Sequence, residues 1–248
     1  MRPIPTSFQC GWSCARPISK KSNARQHGTG TSRNCALRPL STISAGSTSA
    51  TEAMGSLLII DLGGVLFDID FGRTRTAMMQ LDGYNGRPIT FGVEQQDGIF
   101  VAYDRGDIST AEFRSELRQL YGFTADDRSI DRAWCAILDR GLFPFAVDEL
   151  NRLTSAYAAT PGSRVVILSN ISELHYLDCA ERCRPVFDLV ERVYLSYVIR
   201  RRKPDPEAFL YVCRQEGFAP SDTVLVDDSS ANCASARELG MTVVHVQR

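Results

Sequence analysis

The chain has 248 residues, of which 44% are hydrophobic and 23% charged, with a formal net charge of −1. That is long enough for one large domain or two small ones and ordinary for a soluble globular protein. No apolar run approaches the roughly 20 residues a membrane helix needs, and the basic residues gather at the start, leaving an acidic body that argues against a general nucleic-acid partner.

Residues 1–53 hold seven Lys or Arg and one acid, Glu52. They are rich in Ser and Thr and show no clear apolar periodicity. This is the composition of an organellar transit peptide, which places the protein in a mitochondrion or plastid. The alternative is a disordered leader on a cytoplasmic protein. The eight cysteines form no C-x-x-C pair, and a zinc site from Cys10, Cys14, His27 and Cys35 has poor spacing. Small core residues in a reducing compartment is the expected role.

From Gly55 the pattern changes. Leu57–Ile60 is a short, wholly apolar run that ends in Asp61, with Gly63 and Gly64 just beyond. Runs of this kind read as strands buried on both faces, hence a parallel sheet. The segment 71–150 reads mainly as helix. Ser109 to Glu112 fits a capping box, after which Phe113, Leu117, Leu120 and Tyr121 share one face. Trp134, Ile137 and Leu138 suggest a further helix, and Phe145–Tyr157 another leading back to the core.

Val165–Leu168 is the second marked strand and ends in Ser169 and Asn170. A helix is expected over Ile171–Cys183 and a strand over Val193–Tyr197. Asp205-Pro206 reads as the N-cap and first residue of a helix that ends near Gly217. Val224–Val226 runs into Asp227 and Asp228, after which Ser229 or Ser230 caps a helix stopped at Gly240. Thr242–Val246 is the last candidate strand. This alternation predicts an α/β fold, a doubly wound parallel-sheet Rossmann-like core. The core would comprise 54–70 and 151–248, with 71–150 a helical cap inserted after the first strand. Ligands of such sheets bind beyond the carboxyl ends of the strands, where Asp61, Ser169, Asn170, Asp227 and Asp228 fall.

One acid at a strand end often just caps the next helix. Two adjacent acids, Asp227 and Asp228, are unfavourable unless something positive sits between them. Magnesium, a hard cation that favours carboxylate oxygens, suits them. Lys203 lies in a loop fixed by Pro204, Pro206 and the Asp205 cap, where an ammonium can neutralise a nucleophilic carboxylate and a phosphoryl oxygen together.

Four motifs in order, Asp61-Leu62-Gly63-Gly64-Val65-Leu66-Phe67, Leu168-Ser169-Asn170, Arg202-Lys203-Pro204-Asp205 and Val226 to Asn232, resemble the haloacid dehalogenase-like hydrolase superfamily over roughly 57–248. Within it the chain looks most like bacterial phosphatases acting on glucose 1-phosphate, through Gly63, Phe67 to Phe71, Leu168 to His175 and Tyr103 to Phe113. The resemblance implies a hydrolase that takes phosphate from a small-molecule phosphate ester, a sugar phosphate, with no nucleic-acid or membrane partner. Asp61 would be the nucleophile and carry an aspartyl-phosphate. Asp61, the Gly63 carbonyl and Asp227 or Asp228 would hold Mg2+. Ser169 and the Asn170 amide would hold phosphoryl oxygens, Lys203 would orient Asp61 and offset charge, and the cap would select substrate and exclude water.

The chain departs from the family at Gly63, where most phosphatases have a second Asp as general acid and base. Proton transfer then suffers by about 10²–10⁴-fold unless something substitutes, which favours good leaving groups such as an anomeric phosphate and predicts slow breakdown of the phosphoenzyme. Asp68 and Asp70 are nearby acids, read first as solvated turn residues. Arg200 stands where relatives often have Gly. His175 is expected on a helix surface. Two other functions compete: a catalytically weak or non-catalytic binder of phosphate ligands, which the missing acid favours, and a 2-haloacid dehalogenase, which the Asp227–Asp228 pair disfavours.

Overall fold

The protein is described here by a computed structural model over residues 55–247. The leader, its transit-peptide reading and Cys10, Cys14, His27 and Cys35 lie outside the described residues. Strands β1 (Leu57–Ile60), β2 (Arg164–Ser169), β3 (Arg192–Leu195), β4 (Thr223–Asp227) and β5 (Thr242–His245) form one sheet in the order β3-β2-β1-β4-β5. Every pairing is parallel. The expected parallel α/β core is therefore present, with β1 at the centre.

Alternation along the strands explains why the apolar runs are continuous. Leu58, Ile60, Val165 and Ile167 face one core, which also takes Leu150 and Leu153 from α5 (Ala146–Ala158) and Cys179, Cys183 and Val186 from α6 (Glu173–Phe187). Leu57, Ile59, Val166, Leu168 and Leu225 face the other, which takes Phe209 and Val212 from α8 (Pro206–Glu216) and Ala236 from α9 (Ser230–Glu238). Both faces are covered, so no strand can keep a polar face.

Between β1 and β2 lie α1 (Phe71–Met79), α2 (Gly98–Arg105), α3 (Thr110–Tyr121) and α4 (Asp127–Cys135). The capping box of α3 forms as its sequence suggests: Ser109 accepts from the Glu112 N–H while the Glu112 carboxylate accepts from the Ser109 N–H. An aromatic cluster of Phe91, Phe100, Tyr103, Phe113 and Trp134 fills the space among these helices. Trp134 also donates to Ser172 Oγ at 3.0 Å and stacks on His175 of α6. The inserted helices and the sheet thus share one apolar core.

Three expectations need correction. His175 is not on a helix surface: it is buried, with its Nε2 3.1 Å from the Trp134 carbonyl, and burial pushes its pKa down to about 4. The strand expected over Val193–Tyr197 ends at Leu195, and Ser196–Ile199 turns into a short helix, α7. The cause is the Ser196 hydroxyl, which accepts from the Ile171 N–H at 2.9 Å and donates to the Asp104 carbonyl at 2.5 Å. The α6 helix starts and ends later than expected, at Glu173 and Phe187, and carries Pro185 inside it. Among the described residues, no helix is long and apolar enough to cross a membrane.

Candidate active site

The site forms where the carboxyl ends of the strands meet the inserted helices. Asp61 follows β1 directly, and its N–H still donates to Val226 in the sheet. The chain then closes a tight turn, with Phe67 N–H donating to Leu62 O and Gly64 N–H to Phe67 O, both at 2.8 Å. Gly64 has φ +77°, and a Cβ there would fall inside the Asp228 carboxylate. Glycine is required at this point on both counts.

A cavity of about 720 Å³ opens above this turn and is lined by Asp61, Gly63, Ser169, Asn170, Lys203 and Asp228. That volume suits a small ligand. Six of the seven residues marked in the sequence therefore reach one space. Asp227 does not line it. Its carboxylate is fully buried and accepts from Lys203 Nζ at 2.7 Å, from the Ser229 N–H at 2.9 Å and from Asn232 Nδ2 at 2.9 and 3.1 Å. With its acceptor sites taken, Asp227 anchors the lysine. Asp228 is the acid presented to the cavity.

Lys203 is the pivot. Its ammonium lies 3.0 Å from Asp61 Oδ1, and its side chain is fully buried. Burial works against the charge, but Asp227 and Asp61 outweigh it and hold the ammonium above its ordinary value. The loop that carries it is tied to β2 by a reciprocal pair: Asn170 Nδ2 donates to Lys203 O at 2.8 Å, and Lys203 N–H donates to Asn170 Oδ1 at 2.9 Å. The Asn170 side chain is thus committed to the loop. Arg200, at the end of α7, adopts φ +53°. This left-handed conformation is the physical reason that glycine suits the position.

Asp61, Asp227 and Asp228 each bring an oxygen within 4.8 Å of the others, and the Lys203 ammonium pairs with the first two. Burial, then the charges of Asp227 and Asp228, push the Asp61 carboxyl up to about 8 against the pull of Lys203. The three converging carboxylates offer hard oxygen donors. The residues therefore fit a divalent cation of the magnesium class.

At Gly63 a Cβ would meet Ile69 Cδ1 at 3.1 Å, so an apolar side chain occupies the approach to the position of the missing acid. Asp68 and Asp70 do not line the cavity. Arg140 bridges them at 3.6 and 2.9 Å, and Asp70 caps α1. Of the polar residues Arg73, Gln95, Tyr103 and Arg105 in the inserted segment, only Gln95 lines the cavity. Sequence reasoning gave no individual role to Asp104, Arg202 or Asn232, although each stands within a motif it singled out. Asp104 shares the buried face of α2 with Ile99, Phe100 and Tyr103, and an acid on an apolar helix face was the available signal.

A family model for the haloacid dehalogenase-like hydrolases matches residues 56–240. The chain belongs to this family. Among its haloacid dehalogenase-like relatives, a D-ribitol-5-phosphate phosphatase from Bacteroides thetaiotaomicron is 28% identical over 188 residues, 74% of this chain and 87% of that one. A crystal structure of a family enzyme from the same organism, in complex with magnesium and inorganic phosphate, matches at 32% identity with a TM-score of 0.66. It covers 78% of this chain and 94% of the other. An L-2-haloacid dehalogenase from Xanthobacter autotrophicus, with chloropropionic acid covalently bound, is 18% identical with a TM-score of 0.51 over 79% of this chain and 78% of its own, and shares the fold. The resemblance read from the sequence therefore holds at the level of the family.

Proposed function

We propose that this hydrolase is a magnesium-dependent phosphatase that removes phosphate from a small sugar or polyol phosphate through an aspartyl-phosphate on Asp61. One observation carries the reading: a fully buried lysine and three carboxylates, each with an oxygen within 4.8 Å of the others, converge beside an open cavity. A solved relative bound to magnesium and phosphate and a curated relative named for a polyol phosphate support it.

Asp61 Oδ1 is held by the Leu62 N–H at 2.7 Å and by Lys203, which leaves Oδ2 as the nucleophile. Its bond to phosphorus forms as the ester P–O bond breaks, and the alcohol leaves with a proton from water. A second water then attacks phosphorus, expels the Asp61 carboxylate and yields inorganic phosphate. Ser169 and the main-chain N–H of Asn170 hold the phosphoryl oxygens, since the Asn170 side chain is committed elsewhere. Asp61, Asp228 and the Gly63 carbonyl would hold the metal ion, which supplies charge to the phosphoryl oxygens when bound. Asp227 keeps Lys203 in place. Segment 71–150 serves as the cap that excludes water, over a core of 54–70 and 151–248.

With Ile69 against Gly63, no side chain protonates the leaving group from that position. Esters with acidic leaving groups are therefore the better substrates. The curated relative is named for a primary-alcohol phosphate, so the preference for an anomeric phosphate is the part most open to test. Phosphate release should be measured over a sugar 1-phosphate, a polyol phosphate, nucleotides and phosphoglycolate, with and without chelator. The reading expects release from the first two, abolished by chelation. Undiminished release in chelator, or none from any ester, would overturn it, and silence across the panel would favour a binding protein.

A further inference from the structure

Two residues that line the same cavity each bury a polar side-chain atom that has no hydrogen-bond partner. Asp104 is 5% exposed and lines the cavity, yet its Oδ1 meets no hydrogen-bond partner. Arg202 lines the cavity beside it, and its buried Nε–H is also unmet. The two side chains face each other at 3.7 Å, Arg202 Nε to Asp104 Oδ2. They attract electrostatically but stand too far apart for a hydrogen bond. An unmet buried polar group is costly and rare, so two on neighbouring residues that line one cavity call for an explanation.

The pair could have closed on itself. It is held apart by bonds to other groups. Arg202 Nη2 donates to Gln96 Oε1 at 2.8 Å, and Nη1 to the Lys203 carbonyl at 3.3 Å. The main chain of Asp104 is fixed by Ser196 Oγ at 2.5 Å, and its helix ends in Gly106, against which the Tyr197 carbonyl packs so closely that no Cβ would fit. One side of the gap is thus pinned to α7 and the other to the Lys203 loop.

We infer that Asp104 and Arg202 form a hydroxyl-binding subsite that reads the sugar or polyol part of the substrate. This rests on the phosphatase reading of the cavity. A hydroxyl is the simple group that can donate to Asp104 Oδ1 and accept from Arg202 Nε at once. A second phosphate or carboxylate would be repelled by Asp104, and an ammonium by Arg202. Burial raises the Asp104 carboxyl to about 6 against the pull of Arg202. That agrees with a carboxylate held short of partners until a ligand arrives.

The test compares a polyol phosphate with acetyl phosphate, which has no hydroxyl chain, in the unmodified full-length protein, Asp104→Asn, Arg202→Gln and Arg202→Lys, with magnesium present. The readout is the ratio of kcat/KM for the two substrates. Each variant should lower this ratio by about 10–100-fold, the worth of a hydrogen bond to a charged group, and mainly through KM for the polyol phosphate. A parallel fall on both substrates, or an unchanged ratio, would overturn the subsite. If Asp104→Asn fails to unfold cooperatively, Arg202→Lys decides, since it keeps the charge beside Asp104 but lacks the Nε–H. Failure of the phosphatase reading itself would show earlier and differently: the unmodified protein would release no phosphate from either substrate, and the subsite would fall with it.

Discussion

The two ends of the cavity are built in opposite ways. At the strand ends the polar atoms are committed: Asp227 accepts from Lys203, Ser229 and Asn232, and Lys203 is shared between Asp227 and Asp61. Around Asp104 and Arg202, polar atoms are buried and left short. A site that must always do the same chemistry can satisfy its polar groups from within. A site that must recognise a ligand leaves hydrogen bonds for the ligand to complete. Substitutions at the first end should therefore remove turnover or stability outright, and those at the second should change which substrate is used.

The largest effect is expected at Asp61. Asp61→Asn should lower phosphate release by about 10⁴-fold or more, with no fall in melting temperature in metal-free buffer, because burial already disfavours the charged form there. Lys203→Ala should be the most destabilising change at this end. It leaves Asp61 and Asp227 buried without a cation, at a cost of about 3–5 kcal/mol, or roughly 10 °C in melting temperature by calorimetry. A small shift would mean that the cluster is looser than its distances indicate.

The two adjacent acids should separate. Asp228→Asn should raise the magnesium concentration giving half-maximal activity by at least about 10–100-fold, while Asp227→Asn should chiefly lower stability through its lost hold on Lys203. Equal effects of both on metal titrations would erase the distinction drawn between them. At the other end, pH offers a finer probe. The Asp104 carboxyl is raised from an ordinary 3.8 to about 6, so between those values the folded chain keeps a proton that the unfolded chain has lost. Its contribution to stability is then full below 3.8 and is lost as pH rises toward about 6. Asp104→Asn should remove that part of the slope in denaturant titrations, and an unchanged slope would show the carboxyl to be unperturbed. The smallest effect is Arg200→Gly, which relieves a left-handed backbone and should stabilise the protein by up to about 1 kcal/mol.

The contrast between the ends also marks what the sequence could reveal. The strand-end residues were legible because each motif is contiguous and its local pattern demands a turn: Asp61 before two glycines, Asp205-Pro206 opening α8, Ser229 capping α9. The division of labour between Asp227 and Asp228 was not, since it depends on which one Lys203 and Asn232 reach. Nor was the end of β3, decided by Ser196 bonding to residues 25 and 92 positions away. The burial of His175 follows from the placement of Trp134 against α6. Asp104 carried a signal within α2, but its partner comes from a loop that follows β3 and α7, and no local pattern joins them.

The central claim is that Asp61 takes the phosphoryl group. Rapid mixing with a radiolabelled polyol phosphate and magnesium, followed by acid quench and peptide mapping, tests it most directly. The account predicts a burst of label approaching one equivalent per chain, confined to the peptide that contains Asp61 and absent in Asp61→Asn. Label on another residue, or steady phosphate release from Asp61→Asn at the unmodified rate, would contradict it.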